Sequence, residues 1–408
     1  MSNPVFLFIE SNTSGTGEIF FRKIHELRIQ PILLAADPLR YRFFMPELEV
    51  VKIDTFSEKA LLDACENIRK QNKVLGIASS SEYFVGIAAK LAKYFNLPGP
   101  DPDAISLCRN KEKQRLKMFR AGIGVPAYQK AARVTEAAAF VGKVGFPVVL
   151  KPVAGSGSIG VRLCRNLAEV TQHAELLLKR TVNECGLCQT NEILVEQYID
   201  GDEYSVETFG QEIVGITKKH LGTEPYFVET GHDFPAFIST ATRLAIAETV
   251  LKSLKILNLN WGPAHTEVRL NSEGVFVIEV NPRLAGGFIP ELVRYSSGID
   301  LIAETINLFL GRPTCLMPQR QFFSSIRFIL SGTSGILAKV EGLKKARQLP
   351  GIEEVSMYRK PGEKVSSFGD FRDRIGHVIS TGESAQEVCE TAEKAYLFIR
   401  PVINFDDN

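Results

Sequence analysis

Two stretches of the 408-residue sequence carry side chains whose types and spacing suit phosphoryl chemistry. The first is Lys151-Pro-Val-Ala-Gly155-Ser-Gly157-Ser158-Ile-Gly160-Val161. A strand that delivers a lysine and then a run of small residues sets closely spaced backbone N–H groups around an anion, with fixed positive charge beside them. No Gly-Lys-Ser/Thr follows, so it is not a Walker A loop. Taken alone, the segment is equally a flexible surface loop. The second stretch is Glu267 together with Glu279-Val-Asn281-Pro-Arg283. Side chains two apart on a strand share a face, so Glu279 and Asn281 point together and Glu267 faces them across a hairpin. Two carboxylates and an amide oxygen suit Mg²⁺. Arg283, in phase with them, suits a transferred phosphoryl group or a developing oxyanion. The alternative is a solvated face with cross-strand charge pairs. It fits VFVIEV poorly, because that strand is too apolar for exposure and buried carboxylates without partners are costly.

A third pair, Glu229 and His232, lies in YFVETGHDFP. A carboxylate binds an α-ammonium, and a neutral imidazole accepts a proton from an attacking amine; the alternative is a loop glutamate and a surface histidine. His265, beside the acidic strand, is a weaker candidate and reads equally as a packed strand residue. Gly15-x-Gly17 has no third glycine to complete a dinucleotide fingerprint, so it reads as a tight strand–helix turn and a nicotinamide cofactor is not expected. Cys185-x-x-Cys188 has no second Cys or His pair at zinc spacing. Trp261, the only tryptophan, reads as packing.

The elements that must hold these residues follow from periodicity. In the first hundred residues VFLFI, PILLA, VVKI and VLGIAS read as strands, with helical patterns over 18–27 and 82–95. Such alternation implies a parallel sheet covered by helices. NLPGPDPD, 96–103, is dense in breakers and marks a boundary. A helix is expected over 104–120, then FPVVLKP as a strand, a helix over 167–182 and ILVEQYI as a strand. EYSVETFG and EIVGITKK flank Gly210-Gln211 as an antiparallel hairpin. Residues 220–235 have no clear period and read as a loop, followed by a helix over 236–257. PAHTEVRL and VFVIEVN form a second hairpin around 271–274. From about Phe322, SSIRFIL, EEVSMY and GHVIST are short strands, with helical runs starting near Glu341 and Ser384. No internal repeat or low-complexity tail stands out.

Composition agrees with a multidomain soluble protein: 45% hydrophobic and 23% charged residues. Forty-eight Lys+Arg against 47 Asp+Glu leave a formal charge of +1. That argues against nucleic acid or an anionic membrane as partner, and leaves room for a local phosphate pocket. MSNPVFLFIESN has no basic n-region and reads as a first strand, and no apolar run approaches 18 residues. Seven scattered cysteines are no disulfide framework, so the cytoplasm is the expected compartment.

FPVVLKPVAGSGSIGV, ILVEQYIDGDEYSVE and HTEVRLNSEGVFVIEVNPRLAGG resemble, in order and spacing, an ATP-grasp enzyme over nearly the whole chain. The resemblance implies an α/β ATP-grasp fold with an N-terminal Rossmann-like domain (1–103), an ATP-grasp domain (104–318) and a small α+β C-terminal domain (319–408). Within the ATP-grasp domain, the small subdomain is expected over about 120–199 and the large one over about 200–318. It implies that Lys111, Lys151 and the loop with Gly157, Ser158 and Gly160 contact ATP phosphates. Glu196, Gln197, Tyr198 and Ile199 would form a hinge whose backbone pairs the adenine edge, and Glu203 would take the ribose hydroxyls. Glu267, Glu279 and Asn281 would hold Mg²⁺ (or Mn²⁺), and Arg283 would stabilise the acyl phosphate. ESNTSGTGE and YFVETGHDFP further resemble the L-amino acid ligases, in which a Glu-x-x-His such as Glu229 and His232 lies beside the amino-acid substrates and the turn at Gly286 and Gly287 lies against them. Gly287 in place of a bulky residue implies room for a larger first substrate. A homodimer is the expected assembly for the superfamily.

The expectation is therefore an ATP- and Mg²⁺-dependent ligase that activates a carboxylate as an acyl phosphate and joins it to an amine, with 220–235 as a substrate lid. One rival is a biotin carboxylase-like or purine-pathway enzyme, which shares Asn-Pro-Arg and a segment such as FRDRIGHVISTG. The other is a nucleotide-binding regulatory protein without turnover. Retention of both glutamates, Asn281 and Arg283 argues against it.

Overall fold

Residues 5–9 and 31–35 are buried without interruption, which requires that their strands be covered on both faces. The structure is a computed structural model and describes residues 3–13, 16–41, 48–186 and 188–405. Strand β1 (Asn3–Ile9), helix α1 (Thr16–Glu26), β2 (Gln30–Ala35), β3 (Glu49–Lys52), α2 (Glu58–Gln71), β4 (Asn72–Ala78) and α3 (Val85–Tyr94) form a parallel sheet in the order β3-β2-β1-β4. Gly15 of the expected Gly15-x-Gly17 turn lies outside the described residues.

The single helix expected over 104–120 is two, α4 (Pro102–Arg109) and α5 (Lys111–Arg120). Asn110 between them is extended, and its side chain accepts from the Lys113 N–H at 3.0 Å. It therefore ends one helix and caps the next, a role that suits Asn better than any helix interior. The break puts Lys111 in the first turn of α5, with Lys111, Gln114, Arg115 and Met118 on its buried face. Next come β5 (Tyr128–Ala131), α6 (Val134–Val144), β6 (Val148–Pro152), β7 (Arg162–Cys164), α7 (Leu167–Leu178) and β8 (Ile193–Gln197). Their antiparallel sheet, β5-β8-β6-β7, buries Leu150 and Val195 with residues of α6 and α7.

The remaining elements are β9 (Asp202–Phe209), β10 (Glu212–Leu221), β11 (Glu229–Phe234), α8 (Thr240–Leu257), β12 (Pro263–Asn271), β13 (Gly274–Asn281), α9 (Ile289–Ser297) and α10 (Leu301–Phe309). They are followed by β14 (Phe323–Leu330), β15 (Gly335–Glu341), α11 (Leu343–Arg347), β16 (Ile352–Met357), β17 (Lys364–Val365), β18 (Arg374–Gly382), α12 (Ala385–Phe398) and β19 (Arg400–Asn404). Eight strands make one sheet, β13-β12-β9-β10-β11-β14-β18-β16, and both expected hairpins are in it.

Two further features differ from the sequence reading. Residues 229–234 are an interior strand paired to β10 and β14, so only 222–228 leave the sheet between β10 and β11. The strand showed no hydrophobic alternation because both its faces carry ionic groups: Glu229 and His232, and Asp233 with Arg327 and His220. Secondly, β14, β18 and β16 continue the same sheet, so the change of pattern near Phe322 is no break in hydrogen bonding. No helix among the described residues is long and apolar enough to cross a membrane.

Candidate active site

Strand β13 is the sheet's edge, and α5 closes it. Gln114 accepts from the Val280 N–H (3.0 Å) and donates to the Val280 carbonyl (2.9 Å). Arg115 donates to the carbonyls of Val277 and Ile278 at 3.1 and 2.6 Å. Side chains thus stand in for a missing strand and fix Glu279 beside Lys111. Lys111 Nζ lies 2.7 Å from Glu279 Oε1 and donates to the Gly155 carbonyl at 3.1 Å. Lys151 Nζ lies 2.6 Å from Glu196 Oε2, and Arg115 pairs with the other Glu196 oxygen. Burial opposes ionisation of Glu196, but Arg115 and Lys151 outweigh it and lower its pKa. Burial likewise pulls the Lys151 ammonium down, against Glu196. Between these two lysines runs the glycine-rich loop, in which Gly157, Ser158 and Gly160 all have positive φ. Phe371 leaves no space for a side chain at Gly157, since a β-carbon there would lie 2.4 Å from its ring.

At the hinge, Gln197 and Tyr198 give their N–H groups to the carbonyls of Ala127 (2.8 Å) and Pro147 (3.2 Å). The Ile199 carbonyl accepts from Arg269 at 2.8 Å, so that group is already engaged. Arg269 also donates to Glu203 at 3.0 Å and stacks over the Tyr198 and Phe227 rings.

Register pairs Glu267 with Glu279 and His265 with Asn281, so these four side chains share one face. The donor set is carboxylate and amide oxygen, which fits Mg²⁺ or Mn²⁺. Each carboxylate also touches a lysine: Glu279 meets Lys111, and Glu267 Oε1 lies 2.7 Å from Lys219 Nζ. His265 sits behind Glu267, with Nδ1 2.9 Å from Glu207 and Nε2 3.4 Å from Glu267. Burial lowers the His265 pKa, but Glu207 and Glu267 outweigh that and raise it to about 9. Burial works against the Glu267 carboxylate too, and Lys219 and His265 hold its pKa well below the usual range.

Arg283 pairs through Nε with Glu82, which follows β4, and donates to the Leu284 carbonyl at 2.9 Å. Glu82 also accepts from Arg109 at 2.6 Å. Burial opposes its ionisation, yet Arg283 and Arg109 hold its carboxyl down at about 2.

Glu229 is more heavily engaged than its motif suggests. Oε1 lies 2.7 Å from Lys219, while Oε2 lies 2.6 Å from Arg374 and 3.2 Å from His232 Nε2. Two cations already share this carboxylate, which leaves less of its charge for an α-ammonium than the motif alone suggests. His232 is no surface residue. Its side chain is 1% exposed, its Nδ1 is 3.1 Å from the Gly287 carbonyl, and burial lowers its pKa. The reading of Gly287 as substrate room is also corrected, because a β-carbon there would lie 2.5 Å from His232 Cε1. Gly286 is the open position, with nothing within 4 Å of its notional β-carbon. Trp261 packs edge-on against Phe309 at 4.9 Å.

Residues 144–291 match the family described as ATP-grasp domain, and residues 327–404 match L-amino acid ligase C-terminal domain 2. The chain belongs to the ATP-grasp superfamily, in the L-amino acid ligase group. It is thus an ATP-dependent carboxylate–amine ligase. The uncharacterized protein y4rH of Sinorhizobium fredii is 36% identical over 390 residues, covering 95% of this chain and 81% of its own. The L-arginine-specific L-amino acid ligase of Bacillus subtilis is 23% identical over 71% of this chain and 70% of its own. An L-amino acid ligase crystal structure from Bacillus licheniformis superposes with a TM-score of 0.83 at 22% identity, over 99% of this chain and 100% of that one. The fold is therefore ATP-grasp.

Sequence reasoning passed over several charged groups of this ligase: Glu82, Arg115, Glu207, Lys219, Arg269 and Arg374. A signal existed for one of them. Arg115 is four residues from Lys111 and therefore on the same helical face. The others come from different elements and meet only through sheet register and domain packing.

Proposed function

We propose that this ligase joins an amino acid, or a related carboxylate, to the amine of an amino acid through an acyl phosphate, consuming ATP with Mg²⁺ or Mn²⁺ and releasing ADP and phosphate. The observation that carries this reading is the single sheet face holding Glu267, Glu279 and Asn281, with Lys111 touching it on one side and Lys219 on the other. Lys111, Lys151 and the backbone of Gly157, Ser158 and Gly160 bind the triphosphate, the 196–199 hinge receives adenine, and Glu203 takes the ribose. The divalent ion, held by Glu267, Glu279 and Asn281, supplies charge neutralisation at the phosphates. Arg283, aimed by Glu82, stabilises the phosphoryl group and the tetrahedral oxyanion. Residues 222–228 and Gly286 face the substrate side.

Glu229 and His232 receive the proton lost by the attacking amine. The Gly287 carbonyl can only accept, so Nδ1 of His232 carries the hydrogen of a neutral ring. Nε2 then faces Glu229 Oε2 with no proton between them. A proton delivered there completes a hydrogen bond, and Glu229, the more exposed of the two, is the point of entry. The similarity to the Bacillus subtilis enzyme, whose name marks an amino-acid substrate, supports amino acids as the substrate class.

The test is phosphate release over pairs of amino acids with Mg²⁺, with mass spectrometry of the products. A condensed product with ADP is expected. AMP and pyrophosphate would exclude an acyl phosphate, and bicarbonate-dependent release without amino acids would indicate carboxylase chemistry instead.

A further inference from the structure

Lys219 lies on β10 at the middle of the eight-stranded sheet, with a side chain only 2% exposed. Its ammonium is 2.9 Å from Glu203 Oε1, 2.7 Å from Glu229 Oε1 and 2.7 Å from Glu267 Oε1. An ammonium has three N–H donors, so each of them can go to a different carboxylate. The three acceptors come from three strands, β9, β11 and β12, and serve three parts of the proposed site: the ribose, the proton-accepting pair and the divalent ion. Around them stand Arg269 on Glu203, Arg374 and His232 on Glu229, and His265 on Glu267.

We infer that Lys219 is a positioning residue that shares Glu267 with the divalent cation and thereby couples cation binding to Glu229. The inference rests on the proposed function only in assigning Glu267 to the cation. An ammonium and a divalent ion repel one another on the same carboxylate, so a cation arriving at Glu267 drives Lys219 toward its other two partners. Neither is far away: Glu203 and Glu229 already touch the same nitrogen. Strengthening the contact to Glu229 orients the carboxylate that holds His232, so the proton-accepting pair is set when the cation is bound. A lysine that merely filled space would have no such dependence.

The sign of one measurement separates these roles. Removing the ammonium takes away the one cation common to Glu203, Glu229 and Glu267 and leaves Glu267 with His265 alone, so a divalent cation there meets less opposing charge. Mn²⁺ binding is read from the loss of the free-ion EPR signal, using Mn²⁺ alone and Mn²⁺ with ADP on the full chain. Lys219→Met should bind Mn²⁺ alone about tenfold tighter than wild type, while Lys219→Arg, which keeps the charge, stays within about twofold. Lys219→Met with a wild-type circular dichroism spectrum and unchanged or weaker Mn²⁺ binding overturns the proposal. Should that variant fail to fold, the Lys219→Met/Glu229→Gln pair, which removes one charge of each sign, is compared with Glu229→Gln alone: it should bind Mn²⁺ tighter than that single variant, and equal or weaker binding overturns the proposal. Glu229→Gln alone leaves Lys219 to Glu203 and Glu267 and should weaken Mn²⁺ binding; wild-type affinity in it also overturns the proposal. Wild-type turnover is assayed separately. Absence of ADP formation would end the ligase reading, and the Mn²⁺ titrations would still judge Lys219.

Discussion

His232 occupies the space that a side chain on Gly287 would need: its Cε1 lies 2.5 Å from the notional β-carbon, and its Nδ1 lies 3.1 Å from the Gly287 carbonyl oxygen. Gly287 also has a φ of +58°, where a β-carbon is strained whatever its surroundings. The glycine seats the histidine; it does not enlarge the substrate pocket.

Gly287→Ala should therefore destabilise the protein by about 2–4 kcal/mol, combining left-handed backbone strain with overpacking. It should also slow amide formation, because His232 must move. Gly286→Ala meets open space and should change stability by less than about 0.5 kcal/mol, affecting only KM for bulky substrates. Thermal unfolding and steady-state kinetics of the two variants check the contrast. Equal behaviour would remove the seating role.

Glu82 gives a pH dependence with a definite sign. Its folded pKa, about 2, lies below the ordinary 4.5 of the unfolded chain. The ionised form is thus favoured by folding, and the stability it contributes is present above pH 4.5 and lost as pH falls through about 2. A shift of this size corresponds to about 3 kcal/mol. Glu82→Gln should be less stable than wild type at neutral pH, with the difference closing as pH drops from 4.5 toward 2. Denaturant unfolding across that range tests it, and a pH-independent difference would mean that the charge is not what matters.

How much of this could be read in the chain depends on whether a group's partner is local. Glu279 and Asn281 lie two apart on one strand, so their common face followed from geometry, and the hairpin register with Glu267 followed from a short turn; Arg283, expected in phase with them, lies past the strand end in a bend where its N–H goes to the Asn281 carbonyl. The break at Asn110 was legible in principle as a cap, but a polar residue inside a helical pattern gives no sign of which role it plays. Strand β11 was not legible, because period-2 alternation reports one wet face and one dry one, and Glu229, His232 and Asp233 put ion pairs on both. Lys219 was invisible for a different reason: its three partners are 16, 10 and 48 residues away and meet it only through strand pairing.

Glu279→Gln should lower turnover by about 10²-fold or more with the fold intact, since under the proposed assignment it removes one of the two carboxylates that would hold the divalent ion. Lys111, its partner at 2.7 Å, retains the Gly155 carbonyl. Near-normal kcat in folded Glu279→Gln protein would remove the metal assignment. Lys151→Ala should behave differently, because Lys151 is one of two cations neutralising buried Glu196. ATP affinity and thermal stability should fall together, the latter by about 3 kcal/mol. Loss of ATP affinity with an unchanged melting midpoint would show that the Lys151–Glu196 pair contributes nothing to the fold.

Glu229 and His232 decide between two accounts of the amine step. If Glu229 captured the substrate ammonium, Glu229→Gln would cost a charge-assisted hydrogen bond of roughly 1.5–3 kcal/mol, raising the amino-acid KM about 10- to 150-fold. The geometry predicts otherwise. Lys219 and Arg374 already hold both Glu229 oxygens, so KM should change by less than about 3-fold, while amide formation slows because the proton has nowhere to go. His232→Ala should do the same and leave the first half-reaction running. Hydroxylamine would then trap acyl phosphate at near wild-type rates in both variants while the condensed product collapses. The intact imidazole of His232 should not compensate in Glu229→Gln, since Nε2 needs the carboxylate to share the proton. A large rise in amino-acid KM with unchanged kcat would return Glu229 to ammonium binding, and wild-type rates in both variants would leave the pair as a structural contact beneath Gly287.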